Sequence, residues 1–210
     1  MMKRFLAGTL AMAFWAGSAQ AQTTITYTPG SGTLPLGSTI LYDFENLTPG
    51  SSLGPNAYVD NSTFQLGARP AFGSTGNFAT IFGGGSFAIN FNPTSLLSFV
   101  LGSLDSFNSV TLLYQSGAPT VLTGGAIVAD PSIDSGNRSS GETNGVVTYR
   151  VTGGPLLTGA IFSSSSSSFE LDNIATSVPE PAAWGMMILG FGLVGSVLRR
   201  RSADKVAFTY

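Results

Sequence analysis

Short segments in which apolar and polar residues alternate recur along residues 39–177, separated by clusters of Gly, Ser, Asn and Pro. The alternation is clearest in Val147–Val151 and Phe169–Asp172, where every second residue is apolar. A period of two residues is typical of a β-strand with one buried face. No segment before Pro179 has the i, i+3, i+4 apolar stripe of an amphipathic helix. The pattern predicts nine strands, at Thr39–Glu45, Phe78–Phe82, Ser86–Phe91, Leu97–Leu101, Ser109–Tyr114, Thr120–Val128, Gly145–Val151, Gly159–Phe162 and Phe169–Ile174.

Many short strands with frequent turns predict an all-β fold, a single β-sandwich or jelly roll over residues 39–177. The preceding segment, residues 22–38, is rich in Thr, Gly and Pro, and we predict that it is a flexible lead-in. The segment Asp130–Asn144 is rich in Gly, Asn and Ser, which favours a loop.

A different pattern begins at residue 178. Pro179, Glu180 and Pro181 cannot continue a helix or a central strand, and Trp184 suits a membrane–water interface. The apolar run Ala182–Leu198 has 17 residues, which predicts a short transmembrane helix. The basic residues that follow it, Arg199, Arg200 and Arg201, are expected on the cytoplasmic side, with residues 202–210 as a cytoplasmic tail.

The N-terminal residues predict a cleaved signal peptide over residues 1–21. Lys3 and Arg4 precede the apolar stretch Phe5–Gly17, which is too short for a comfortable membrane span. Ala19 and Ala21 flank one residue in a small-x-small cleavage site, so the exported chain is expected to begin at Gln22.

The string from Val178 to Arg201 resembles the PEP-CTERM sorting signal of Gram-negative bacteria, which combines Pro-Glu-Pro, an apolar helix and an arginine cluster. The resemblance implies recognition by exosortase, a membrane transpeptidase-like protease, and cleavage near Pro179–Pro181. It also implies an inner-membrane-anchored precursor and a mature form at the cell surface or outside the cell. The chain departs from the family in having Trp184-Gly185 and nine residues after its arginines. An ordinary single-span anchor is the alternative.

The charge of the exported part, residues 22–177, excludes one class of partner. Three arginines and nine acidic residues give this part a net charge of −6. Nucleic acid is therefore not an expected partner, because phosphate binding needs clustered Lys and Arg. The chain has no cysteine, so no disulfide stabilises the fold.

The residue inventory also argues against catalysis. The sequence contains no His and no Cys, which removes catalytic triads, cysteine nucleophiles and the usual zinc sites. Paired carboxylates remain available for glycoside hydrolysis, but no active-site motif surrounds them. We expect that the protein is not an enzyme.

Four acidic residues form the sharpest constellation in the exported part. The period of two residues places Asp43 and Glu45 on one face of the first predicted strand, and Glu170 and Asp172 on one face of the last. First and last strands often lie side by side in jelly rolls, so the four carboxylates are expected to converge. Such a cluster of hard oxygen ligands predicts a Ca²⁺ site. Solvated positions on an outer face are the alternative interpretation.

Two further segments, Leu101–Val110 and Ser168–Ala175, resemble the exported domains of PEP-CTERM proteins, which are similar to the jelly rolls of carbohydrate-binding modules. The resemblance implies a fold and hints at glycan ligands. We expect a structural or interaction role in the cell envelope or in an exopolysaccharide-rich biofilm matrix. A carbohydrate-binding module with a defined glycan is the second hypothesis, and a glycan-active enzyme is the third. Sugar platforms would come from Tyr58, Phe64, Phe72, Tyr114 or Tyr149.

Overall fold

The structure, a computed structural model, describes residues 22–61, 66–177, 188–194, 196 and 199. Two β-sheets account for most of the described chain. The larger sheet contains β1 (Gln22–Pro29), β2 (Ser38–Tyr42), β3 (Ser52–Gly54), β4 (Ala57–Asp60), β5 (Phe78–Ile81), β7 (Leu96–Gly102), β10 (Gly145–Thr152) and β12 (Phe169–Ser177). The smaller sheet contains β6 (Gly85–Thr94), β8 (Asn108–Tyr114), β9 (Thr120–Thr123) and β11 (Leu157–Ser164).

The strand order places β12 at the centre of the larger sheet. This sheet runs β1-β10-β7-β12-β5-β4-β3, and the smaller sheet runs β6-β11-β8-β9. One edge of β12 pairs with β7. The other edge pairs with β5 near Phe169 and with β2 near Ser177. The last strand is therefore held on both sides along most of its length.

The core lies between the two sheets. Phe99 of the larger sheet and Phe162 of the smaller sheet are fully buried, with ring centroids 5.1 Å apart in an edge-to-face arrangement. Phe162 also stacks with Phe87 and meets Phe169 edge-on. These side chains come from alternate positions of their strands, as the period of two residues predicts. The predicted all-β sandwich is confirmed.

The outer face of the larger sheet is also covered, in part by residues 66–77. A side chain at Gly67 would collide with Glu170 and Thr80, and Pro70 lies against Gly102. The buried Asn144 side chain accepts hydrogen bonds from the Ala71 and Ser103 N–H groups (3.2 and 3.0 Å). The segment is thus tied to the sheet, and polar residues beneath it are removed from water.

The predicted flexible lead-in is wrong for its first half. Residues 22–29 form β1, which pairs with β10 over its whole length, from Gln22 opposite Thr152 to Pro29 opposite Gly145. The physical reason is the alternation of Thr with Ile25 and Tyr27, whose side chains pack against the core. The sandwich therefore spans residues 22–177 rather than 39–177.

Two predicted strands end earlier than expected. The predicted strand Thr120–Val128 stops at Thr123, and Gly124–Val128 forms a 3-10 helix, because Gly124 has a positive φ that a strand does not accept. The predicted strand Thr39–Glu45 stops at Tyr42. The short strands β3 and β4 were missed by the sequence pattern.

Candidate functional site

Asp43 and Glu45 lie in a turn rather than in a strand. The Asp43 carboxylate accepts a hydrogen bond from the Glu45 N–H (3.2 Å), and Phe44 between them has φ of 60°. This side-chain to backbone bond ends the strand, as is typical of Asp. Glu45 accepts a bond from the Asn77 N–H (3.2 Å). Both acidic side chains are exposed, and the alternation that was expected to align them does not continue past Tyr42.

Glu170 and Asp172 do share one face of β12, as predicted, but that face is buried. Each residue is 1% exposed. Glu170 accepts a hydrogen bond from the Ala68 N–H (3.3 Å), and Asp172 accepts one from the Asn173 N–H (2.7 Å). The segment of residues 66–77 therefore converts two expected surface acids into buried ones.

Burial changes the acidity of both groups. Removal from water raises the pKa of Glu170 to about 7, and hydrogen bonds from the Ser168 hydroxyl and the Ala68 N–H offset only part of this rise. Burial also raises the pKa of Asp172 to about 7. The nearby Ser74 hydroxyl, the hydrogen bond from the Asn173 N–H and the charge of Arg69 oppose that rise, whereas the charge of Glu45 adds to it.

Asp60 and Arg69 complete this polar layer, and the sequence pattern did not identify either. Asp60 at the end of β4 is fully buried and accepts bonds from the N–H groups of Asn61 (2.7 Å) and Gly67 (2.6 Å). The Arg69 guanidinium lies 5.0 Å from the centroid of the Phe78 ring, in cation–π geometry. The one available sequence signal was for Asp60, which lies two residues after Tyr58 and interrupts an apolar strand.

The predicted four-carboxylate Ca²⁺ site is not formed. Among the residues that the structure describes, no group of three or more acidic side chains is arranged to hold a metal ion. Asp43 and Glu45 leave the strand through their own turn, while Glu170 and Asp172 face the underside of residues 66–77. Adjacency of β2 and β12, which the prediction required, is present but does not align the four groups.

This geometry makes a prediction about calcium. We expect the melting temperature of the exported domain, residues 22–177, to be the same in millimolar Ca²⁺ and in a chelator, because the described part of this domain offers no convergent ligand set for the ion. Differential scanning fluorimetry measures this directly. A rise in Ca²⁺ that Asp172→Asn abolishes and the exposed Asp134→Asn retains would contradict it.

Two of the five expected sugar platforms, Tyr149 and Tyr114, are used in packing, whereas Tyr58 and Phe72 are half-buried. Tyr149 is fully buried, and its hydroxyl donates to the Ile127 carbonyl (3.0 Å). Tyr114 is half-buried and hydrogen-bonds Thr23 and Thr120. Phe64 lies outside the described residues. An open groove elsewhere, of about 590 Å³, lies between β2 and β6 and is lined by Leu41, Tyr42, Asn90, Phe91 and Asn92.

The end of β12 is the point from which the C-terminal segment leaves the sandwich. Ser177 is opposite Ser38 in β2, and its hydroxyl lies 2.7 Å from the Thr94 hydroxyl at the end of β6. Both sheets thus hold the last residue of the domain. One residue, Val178, separates it from Pro179.

Comparison with known families identifies this C-terminal segment. Residues 177–202 match the family described as the PEP-CTERM protein-sorting motif. The chain carries a PEP-CTERM sorting motif. Such a motif indicates an exported protein that is targeted to exosortase, with a membrane-anchored precursor. No curated protein and no solved structure matches the chain.

The PEP-CTERM motif starts where the fold ends, since its first matched residue, Ser177, is also the last residue of β12. Within the motif the structure describes residues 188–194, 196 and 199, all of which are helical. The described residues contain no helix that is long and apolar enough to cross a membrane. The other predicted sorting residues, namely Pro179, Glu180, Pro181, Trp184, Arg200 and Arg201, lie outside the described residues. So do the signal peptide with Ala19 and Ala21, and the tail 202–210.

Proposed function

We propose that this protein is made as a precursor in the inner membrane of a Gram-negative bacterium, is cleaved by exosortase near Pro179–Pro181, and then acts in the cell envelope or the extracellular polysaccharide matrix. The observation that carries the proposal is the PEP-CTERM motif at residues 177–202, attached directly to a folded sandwich at Ser177. The signal peptide predicted over residues 1–21 supports export.

The domain's role in this proposal is structural or interactive rather than catalytic. The sequence offers no His or Cys nucleophile or base. The acids that share a face, Glu170 and Asp172, are buried under residues 66–77 and do not face an open cleft. The order of β5 to β12 supports a jelly roll, because these eight successive strands divide equally between the two sheets, as β5-β12-β7-β10 within the larger sheet and β6-β11-β8-β9 in the smaller one.

Expression in two hosts tests the sorting proposal. In a host with exosortase, the sandwich is expected at the surface or in the medium without its C-terminal segment. In an otherwise identical host that lacks exosortase, the full-length chain is expected in the membrane fraction. Full-length chain in the membrane fraction of both hosts would favour the ordinary anchor instead.

Glycan binding is the second candidate, favoured by the groove between β2 and β6. Tyr42 and Phe91 are half-buried aromatic residues, and Asn90 and Asn92 are exposed amides beside them. Aromatic surface next to hydrogen-bonding amides is suited to a sugar ring, which has apolar faces and hydroxyl edges. A glycan array with residues 22–177, repeated with Tyr42→Ala, distinguishes this candidate from a role without glycan recognition. Binding that Tyr42→Ala removes supports it.

A further inference from the structure

The two ends of the sandwich differ sharply in charge. We name the exit end the one that contains Ser177 and the loops at residues 33–37, 92–95, 115–119 and 153–156, which the strand register brings together. None of these loops contains a charged residue. The opposite end, here the far end, consists of the loops at residues 103–107, 129–144 and 165–168. It carries four acids and one arginine, at Asp105, Asp130, Asp134, Glu142 and Arg138.

The exit end is neutral and exposes one large apolar side chain. Leu36 is fully exposed there, with a relative accessibility of 102%. The four loops also contain the apolar residues Pro93, Ala118 and Pro155. The nearest charged group on a strand is the exposed Arg150, two residues before β10 ends. In a domain with a net charge of −6, all the acidic residues therefore lie outside the exit end.

The same end is where the sorting motif begins, and the connection is short. Ten residues, 178–187, lie between Ser177 and the described helical residues at 188. Even a fully extended chain of this length reaches only about 36–40 Å. The sandwich itself has a radius of gyration of about 15 Å, so a membrane-anchored precursor keeps it within roughly one domain diameter of the bilayer, with the exit end nearest to the anchor.

We infer that the exit end is a docking surface for the anionic membrane to which the precursor is anchored. This inference rests on the proposed function, because it requires the anchored precursor. The nine residues of β12 separate the far end from the exit end by about 30 Å. That distance is almost four Debye lengths at physiological salt, so acids at the far end escape repulsion by anionic headgroups only when the exit end faces the bilayer.

The charge pattern indicates which kind of surface the exit end contacts. A bilayer with anionic headgroups repels this end least, because its loops carry no acid, Leu36 is exposed for contact with the bilayer and Arg150 is the nearest charged side chain. The opposite orientation would bring Asp130, Asp134 and Glu142 to the headgroups.

The absence of cysteine from the sequence allows a clean test. The full-length precursor carries one introduced cysteine with a fluorophore, at Leu36→Cys or Ala118→Cys in the exit end, or at Ser135→Cys in the far end as a matched control. All three positions are exposed. Each labelled precursor is reconstituted into vesicles of phosphatidylethanolamine and phosphatidylglycerol that contain a lipid-borne quencher.

Quenching is expected to be several-fold stronger at positions 36 and 118 than at position 135. The additional change Leu36→Asp is expected to reduce the quenching at position 118. Equal quenching at the two ends, in precursor that floats with the vesicles, would overturn the docking surface and leave the anchor intact. Precursor that does not float with the vesicles at all would instead overturn the proposed anchoring, and the docking surface with it.

Discussion

Lowering the pH from about 8 to about 5 is expected to stabilise the folded exported domain. Burial raises the pKa of Glu170 and of Asp172 to about 7, while the same groups in the unfolded chain have pKa values of 4.5 and 3.8. Between these values the folded state binds more protons than the unfolded state, so stability falls as pH rises through 7. Each group contributes about 2.5 kcal/mol to the difference between the two pH values.

Urea unfolding at each pH, monitored by far-UV circular dichroism, measures this effect. The double variant Glu170→Gln, Asp172→Asn mimics the protonated groups and is expected to lose most of the pH response. Glu142→Gln, an exposed acid, is the matched control and is expected to keep it. Stability that instead rises between about pH 5 and about pH 8 in the unmodified domain would show that the two acids are ionised and paired in the folded state.

Replacing Glu180 by Ala is expected to abolish processing. Glu180 is the charged residue of the Pro-Glu-Pro element in the matched motif, and exosortase targeting is what this motif indicates. In a host with exosortase, the variant precursor is expected to accumulate in the membrane fraction, with the mature form lost from the surface. Immunoblots of fractionated cells measure both species.

A matched control separates recognition from a general loss of the protein. Glu142→Ala changes an exposed acid of the far end and is expected to be processed like the unmodified chain. The sandwich of the Glu180→Ala variant is expected to melt at the unmodified temperature. Normal release of the Glu180→Ala protein would mean that exosortase does not recognise the motif through Glu180.

The sequence predicted the sandwich because its strongest strands obey one simple rule. In Val147–Val151 and Phe169–Asp172 one face is apolar, and that face lies in the core. The rule failed at β1, where Thr residues alternate with Ile25 and Tyr27. Because Thr is common in both loops and strands, the pairing of β1 with β10 became apparent only from the strand register.

The candidate site was harder to predict because it depends on a covering segment. The alternation correctly placed Glu170 and Asp172 on one face of β12, but it could not show that residues 66–77 bury that face. Asp43 was misplaced for a local reason, since its own carboxylate accepts the Glu45 N–H and turns the chain. A pattern of hydrophobic and polar positions reveals neither a distant segment that covers a sheet face nor a hydrogen bond between a side chain and the backbone.

The sorting motif was predictable from sequence because its parts are contiguous. Pro179–Pro181, the apolar run and the arginines follow one another without any need for tertiary structure, and the family match covers residues 177–202. The structure adds how the motif is attached, since Ser177 is fixed between the two sheets by Ser38 and Thr94.

The mature protein is expected to lack the C-terminal segment that exosortase removes. The most direct test is to digest the protein recovered from the cell surface or the medium with a protease and to identify its C-terminal peptide by mass spectrometry. We expect a C-terminus near Pro179–Pro181 and no peptide beyond Pro181. Recovery of intact Ser202–Tyr210 on the mature surface protein would contradict it.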